Sequence, residues 1–383
     1  MAVAISDPEL RHGDLIAWFD RRIPVRLSEK WDNCGLQIGS RRQTLKGVVC
    51  CLDVTPEVVA EAREVGADFI FSHHPLFFKP EKNIDLDVFP GNLVKTLVES
   101  EITVYSAHTN LDKIEGGVSA ELARILGVKN SRPLKPEVEK LYKLVTFVPE
   151  EALTTVEDAL FAAGAGRLGE GRYRECAFRS AGVGSFFPEN GSHPERGEIG
   201  RRNLVDEIRF ETVCEPESLD RVLAALFESH PYEVPAYDLL ALQLPGAAKV
   251  GLGRIGELGE ELTVAEFAAR VSDRLKVSGL RLIGGDRNRR LKRIALCGGS
   301  GFSLYPDALA AGADLYLTGD VKYHEAREVL DRGGMALLDA GHFATEFPIV
   351  EVCAAWCREF AENNGISLPV SVTRNEHEPW EVC

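Results

Sequence analysis

In both outer thirds of this chain, short uninterrupted apolar runs alternate with amphipathic stretches, and metal-binding residue types follow the runs. Val48-Val49-Cys50-Cys51-Leu52-Asp53 reads as a buried strand. Thr55 can cap the helix after it, with Pro56 at its first position and Val58, Val59 and Ala62 as its apolar stripe. Ala67-Asp68-Phe69-Ile70-Phe71-Ser72 is a second strand and ends in His73-His74-Pro75. A helix from Leu93 to Val98 leads to Ile102–Ser106, then to His108 and Asp112. Continuous apolar strands separated by helices predict a mainly parallel sheet covered on both faces.

The pattern resumes after about residue 246. Ile294–Cys297 precedes Gly298-Gly299-Ser300-Gly301, Asp314–Thr318 precedes Gly319-Asp320, and Met335–Asp339 precedes Gly341-His342. One long helix is expected from about Thr345 to Asn363, then a last strand near Leu368–Val372. The fold class is therefore α/β, with a host domain built from residues 1–136 and 246–383.

Residues 137–245 have a different rhythm. Lys143–Val148 is a strand, Glu151–Ala163 an amphipathic helix, and Glu175–Arg179 and Val183–Phe187 two strand candidates. Ile208–Val213 alternates with period two, Ser218 begins a helix, and Tyr237–Leu244 closes the set. Two βαβ-like halves of this length resemble the ferredoxin-like arrangement, read here as a domain inserted into the host.

Composition narrows the function classes. The 383 residues carry 59 acidic and 44 basic side chains, a formal net charge of −15, which argues against a nucleic-acid binder. No run reaches transmembrane length, and acidic and basic residues interrupt the N-terminal stretch where a signal peptide needs an apolar core. The nine cysteines are an odd number without C-x-x-C spacing, which suits free thiols in a reducing compartment. A cytoplasmic protein without membrane spans is expected.

In an open α/β sheet, ligands bind at the carboxyl ends of the strands. His73 and His74, Asp112, and the pair His342 and Glu346 all directly follow strands. Imidazole with carboxylate suits zinc, manganese, iron or nickel, and the lack of cysteine argues against a closed structural zinc site. Adjacent side chains in extended backbone point to opposite sides, so His73 and His74 are expected to serve different ions. His342 and Glu346 share a face if a helix starts there, and a Glu346 bridge would let five side chains hold two divalent ions. Isolated histidines at strand ends also occur as ordinary hydrogen-bonded residues. His108 is a candidate proton shuttle or a loop-orienting residue, and His324 a second shuttle or a first-turn helix residue. Asp320 could line the same cleft. Trp31 and Asp32 could cover the pocket, or be a packed tryptophan and a capping aspartate.

Two glycine motifs remain. Gly251-Leu252-Gly253-Arg254-Ile255-Gly256 matches the dinucleotide fingerprint formally but lacks the long helix after it, and is rejected. Gly298-Gly299-Ser300-Gly301 could receive a phosphate on its amides or be a tight strand-to-helix turn. Cys353 and Cys357, one helical turn apart, read as packing residues.

Five blocks together closely resemble the GTP cyclohydrolase 1 type 2 homologues, the Nif3-like dinuclear-metal-centre family. They are Trp31-Asp32-Asn33-Cys34-Gly35-Leu36, Ser72-His73-His74-Pro75, His108-Thr109-Asn110-Leu111-Asp112, Gly319-Asp320-Val321-Lys322-Tyr323-His324 and Gly341-His342-Phe343-Ala344-Thr345-Glu346. They span both outer thirds in the family's order. The middle segment, with His230–Asp238, is similar to the CutA/PII-like insert of the longer members. The resemblance implies a metal-binding host, a toroidal homohexamer with its metal sites facing the interior, and hydrolase chemistry on a small molecule such as GTP or another nucleotide. By motif match the ligands are His73, His74, Asp112, His342 and Glu346. This chain has His342-Phe343 where the family usually reads His-His. In a GTP cyclohydrolase-like reaction, water would attack the imidazole ring of guanine, with His108 or His324 passing protons. Phosphoester hydrolysis and a non-enzymatic metal-dependent regulator or scaffold are the alternatives.

Overall fold

Each apolar run becomes a strand because its side chains are buried on both faces, as in Val48–Cys51, Phe69–Ser72, Leu315–Thr318 and Ala336–Asp339. At about 1.5–3 kcal/mol for each large apolar side chain removed from water, four such strands outweigh any local preference. The computed structural model describes residues 10–137, 141–169, 172–242 and 249–380. The chain divides into two compact units, Met1–Glu137 with Ala248–Cys383, and Val138–Ala247. The expected return to the host at 245/246 lies outside the described residues.

The first unit begins with β1 (Gly35–Ile38), β2 (Val48–Cys51), β3 (Phe69–Ser72), β4 (Thr103–Ser106) and β5 (Val128–Pro136). The second unit contains β6 (Leu141–Val148), β7 (Ala177–Phe186), β8 (Asn203–Cys214) and β9 (Tyr237–Leu242). The first then resumes with β10 (Gly251–Thr263), β11 (Arg281–Ile283), β12 (Arg290–Leu296), β13 (Leu315–Thr318), β14 (Ala336–Asp339) and β15 (Val370–Val372).

The host is α/β, and its strands form two sheets. One has the order β1-β4-β3-β2-β15, the other β11-β14-β13-β12-β10-β5. In each, the central pairs are parallel; the first sheet has an antiparallel strand, β1, at one margin and the parallel β15 at the other, and the second has antiparallel strands at both margins. The two ends of the chain are interleaved. The C-terminal β15 completes the first sheet, and β5 from the N-terminal third completes the second. Helices cover both faces of the first sheet. His12–Arg22 and Pro348–Asn363 supply Leu15, Phe19, Cys353 and Cys357 to one core, while Pro56–Glu64 and Gly91–Glu99 supply Val58, Val59 and Leu97 to the other. Cys353 and Cys357 are thus packing residues.

The long helix expected from Thr345 breaks at Phe347. His342–Glu346 is a separate turn of helix, and Pro348 opens the next, Pro348–Asn363. The pair β5 and β10 escaped the sequence pattern because β10 is glycine-rich. Gly251 and Gly256 are there for close approach: a Cβ on them would lie 2.2 Å from the Lys135 carbonyl oxygen and 2.5 Å from that of Lys129. This is the segment that mimicked a dinucleotide fingerprint.

The second unit runs β6, helix Leu153–Ala162, β7, β8, helix Leu219–Ser229, β9, with antiparallel sheet order β7-β8-β6-β9. That is the ferredoxin-like order. The two strand candidates at 175–179 and 183–187 are one strand, β7. Gly182 and Gly184 interrupted its pattern, and at Gly184 the Glu207 carboxylate occupies the space of a side chain. The predicted end of the last strand at Leu244 lies outside the described residues.

The chain leaves and re-enters the host through neighbouring strands. Pro136 is the register partner of Gly251, and the Glu137 amide donates to the Val250 carbonyl at 2.9 Å. Replacing residues 138–249 with a two-residue Asn-Gly turn should therefore close β5 and β10 as a hairpin and leave a folded, metal-binding host. Circular dichroism and metal content check this. Insoluble or metal-free protein across several linkers would show that the host depends on the insert.

Candidate metal centre

Parallel strands deliver the polar residues to one place. β2, β3 and β4 end before Asp53, His73-His74 and His108, while β13 and β14 end before Asp320 and His342. The sequence predicts one sheet edge here; the structure brings together the carboxyl edges of two. The amides of His73 and His74 donate to the Cys51 and Leu52 carbonyls at 3.1 and 2.8 Å, extending the ladder past β3 and fixing both backbones. His342 and Glu346 share one face of the short helix, as their spacing predicts.

Glu346 is the hub. It is 4% exposed, and its two oxygens face different partners. Oε2 lies 2.9 Å from Nε2 of both His74 and His342. Oε1 lies 3.8 Å from Nε2 of His73, which is itself 3.7 Å from Asp112 Oδ1. The five predicted ligands therefore converge, and the adjacent histidines face opposite ends of one carboxylate. His73 Nε2 is buried without a hydrogen-bond partner among the described residues, the state of a donor atom aimed at a ligand. Donor atoms of His73, His74 and His108, and separately of His74, His342 and Glu346, lie within 4.8 Å of one another, so each group could hold a metal ion.

The other nitrogen of each ring is spoken for. His73 Nδ1 meets the Ala107 carbonyl at 2.8 Å, His74 Nδ1 meets Asp53 at 2.9 Å, and His342 Nδ1 meets Asp320 at 2.7 Å. Such partners fix the ring and leave Nε2 toward the cluster. Asp320 reaches His342 from a left-handed backbone, φ +57°, a conformation that costs a non-glycine residue about 1–3 kcal/mol. Asp339 steadies both loops, accepting from the amides of Val321 and Gly341 at 3.1 and 3.0 Å. Among these carboxylates, Asp53 and Asp339 were not singled out from the sequence, though each closes an apolar strand run at the same edge.

Charge follows the geometry. Burial would lower the His74 pKa, but hydrogen bonds to Asp53 and Glu346 push it up to about 10. Burial likewise opposes, and Glu346 and Asp320 overcome, a rise at His342 to about 9. Burial would raise Glu346, yet the three histidines hold it well below the ordinary carboxylate value. Asp112 is raised, by burial above all. The donor set thus gathers positive charge as protons, and metal binding would displace them.

His108 joins the cluster, its ring 5.3 Å from His73 and 5.6 Å from His74. Its Nδ1 meets Asp32 at 2.9 Å, and Asp32 also accepts from the Thr109 amide and hydroxyl at 3.0 and 2.5 Å. Burial raises the Asp32 carboxyl, but His108 and Thr109 hold it well below the usual carboxylate range. Asp32 therefore both orients His108 and caps the short helix Thr109–Lys113, whose first amide it accepts, while Trp31 is not packed but 59% exposed. His324 is not brought in. It lies exposed in the first turn of the helix Tyr323–Arg332, against Tyr323, with no hydrogen bond or ring contact to the cluster among the described residues.

The glycine loop after β12 is a tight turn beneath the cluster and not a phosphate cradle. The amides of Gly298, Gly299 and Gly301 already donate to Ser119, Thr345 and Thr318. Phe343 stacks on Phe347 with ring centroids 4.8 Å apart, so this departure from the family pattern is a packing residue.

A strap from the C-terminus crosses this edge. Glu376 accepts the amides of Leu52 and Asp53 at 2.8 and 2.5 Å, and burial pushes its pKa up to about 7. A carboxyl raised in the fold binds more protons folded than unfolded. Its stabilising contribution is thus greatest at acid pH and is lost as pH rises from about 4.5 to about 7. In chelator, the melting temperature of wild type should fall relative to Glu376→Gln between pH 5 and 8, by about 2–4 °C. A constant difference between the two would refute the assignment.

The Duf34/NIF3 (NGG1p interacting factor 3) family profile matches residues 10–379. The chain belongs to this family. It is 41% identical over 332 residues to the "GTP cyclohydrolase 1 type 2 homolog" of Bacillus subtilis, covering 86% of this chain and 87% of that one. A Staphylococcus aureus structure matches 98% of this chain and 99% of its own at TM-score 0.77 and 30% identity. A Bacillus cereus protein related to NIF3 matches 98% of this chain and 100% of its own at TM-score 0.70 and 34% identity. No described helix of this Duf34/NIF3 member is long and apolar enough to cross a membrane, and its eight described cysteines are free thiols.

Proposed function

We propose that this protein is a cytoplasmic metal-dependent hydrolase that binds two divalent ions and opens the guanine imidazole ring of GTP or a related nucleotide. The observation that carries the reading is the division of Glu346, one oxygen toward His74 and His342 and the other toward His73 and Asp112. One buried carboxylate shared between two donor groups is the composition of a two-ion hydrolytic site, and zinc, manganese, iron and nickel all suit imidazole with carboxylate. The names of the curated relatives support the choice of substrate. Bound ions would activate water and polarise the electrophilic atom of the substrate. The chain's own residues orient and move protons: Asp53 and Asp320 hold the rings of His74 and His342, and Asp32 holds His108 by Nδ1. That leaves Nε2 of His108 as the atom that takes or gives a proton at the cluster. The toroidal homohexamer implied by the family resemblance is part of this reading, and light scattering tests it.

Reconstituted protein should carry up to two divalent ions per chain by elemental analysis; one or none sinks the two-ion reading. The function is tested by turnover of metal-loaded protein against GTP, other nucleotides and phosphoesters. Loss of purine absorbance, abolished in His74→Ala, is the expected result. Phosphoester cleavage alone would make the site a phosphoesterase, and intact metal without turnover would make the protein a regulator or scaffold.

A further inference from the structure

We propose that Trp31 and Phe78 form a stacking platform for the planar heteroaromatic ring of the substrate beside the histidine cluster. This rests on the nucleotide reading above and names the part of the nucleotide that the chain itself would grip. The two rings are large, apolar and left in water, Trp31 59% and Phe78 50% exposed. Their centroids are 5.7 Å apart and their planes inclined at 54°, so they open as a notch. His108 closes its base, 6.1 Å from Trp31 and 6.2 Å from Phe78, edge-on to both. The same His108 ring lies 5.3 Å from His73 and 5.6 Å from His74. One imidazole therefore links the aromatic pair to the candidate metal ligands.

The notch is fastened rather than incidental. Trp31 adjoins Asp32, whose side chain is fully buried and bonded to His108, Thr109 and the Asn33 amide. Asn33 donates to the Phe77 carbonyl at 2.8 Å, tying the loop of Phe78 to the loop of Trp31. Gln37 reinforces the tie, accepting from the Phe77 amide at 3.4 Å and donating to the Asn33 carbonyl at 2.7 Å. Two exposed aromatic rings held in register beside a polar cluster gain nothing from water, whereas they offer a π-face to any flat ring. A base stacked on the Trp31 indole lies at the same steep angle to His108 as the indole itself. That puts the reacting ring next to the proposed proton-transfer group.

The test uses full-length metal-loaded protein and guanosine 5′-monophosphate as the probe, with ribose 5-phosphate as the ring-free control. By calorimetry, Trp31→Ala and Phe78→Ala should bind guanosine monophosphate about tenfold more weakly or worse. Trp31→Phe should stay within about threefold, since it keeps a stacking face. Ribose 5-phosphate binding and metal content should be the same in all four proteins. Guanosine monophosphate should quench tryptophan emission in wild type and not in Trp31→Phe. Equal affinity across the variants, or no binding to wild type, overturns the platform. So does a change of oligomeric state in Trp31→Ala, which would make the rings an inter-subunit contact. These outcomes are separable from the reaction: weakened binding without turnover leaves the platform standing and removes the hydrolase reading, while turnover with unchanged binding does the reverse.

Discussion

Replacing Glu346 with glutamine is expected to strip metal from both halves of the cluster at once. The carboxylate offers one oxygen to His74 and His342 and the other to the side of His73 and Asp112. Glutamine keeps the shape and one carbonyl acceptor but loses the charge and the second oxygen donor. Affinity should fall by more than the roughly 10–100-fold typical of losing an outer partner of a metal ligand. Asp112→Asn should deplete mainly one position. The metal-free fold should lose only about 1–3 kcal/mol, because the histidines can shed the protons that Glu346 now holds on them. Elemental analysis and thermal melts in chelator read the two effects separately. Full occupancy in Glu346→Gln would end the bridging assignment, and a collapsed melt without metal would make Glu346 structural.

Gly299→Ala should act on the same carboxylate without touching a ligand. A Cβ at Gly299 would lie 1.9 Å from Glu346 Oε1 and 3.2 Å from His342 Nε2, and the backbone there is left-handed at φ +61°. The turn resists shifting, since the Gly299 amide donates to Thr345 and its carbonyl accepts from Thr318. The strain of an L-residue in that conformation costs about 1–2 kcal/mol, and the displaced carboxylate adds to it. Metal content should drop steeply and the melting temperature modestly. Gly182→Ala, whose Cβ meets nothing within 4 Å among the described residues, is the control and should change neither. Wild-type metal affinity in Gly299→Ala would show that Glu346 can move aside and still bind.

Much of the site was legible because it is local. A strand that must be buried on both faces announces itself as a continuous apolar run, and the residue after it has to lie at the sheet edge. That reasoning found His73, His74, His108 and Asp320, and helical periodicity paired His342 with Glu346; Asp112, expected directly after a strand, instead sits on the short helix Thr109–Lys113 that follows β4. The glycine-rich β10 hid for the complementary reason: its residues serve the approach of two backbones, and a residue chosen for what it lacks carries no apolar pattern.

What the sequence by itself determined, then, is the set of strand ends and the donors they carry. Tertiary structure alone decided that two sheets share the site, that Asp32 rather than a random loop group turns His108 across 76 residues of chain, and that Trp31 stands in water beside Phe78. It also decided that His324, in the first turn of the helix after β13, stays exposed outside the cluster. The physical reason is that burial acts on each strand separately and so leaves its mark in every run. The meeting of loops is fixed only by how whole sheets pack, and no short window of sequence contains that.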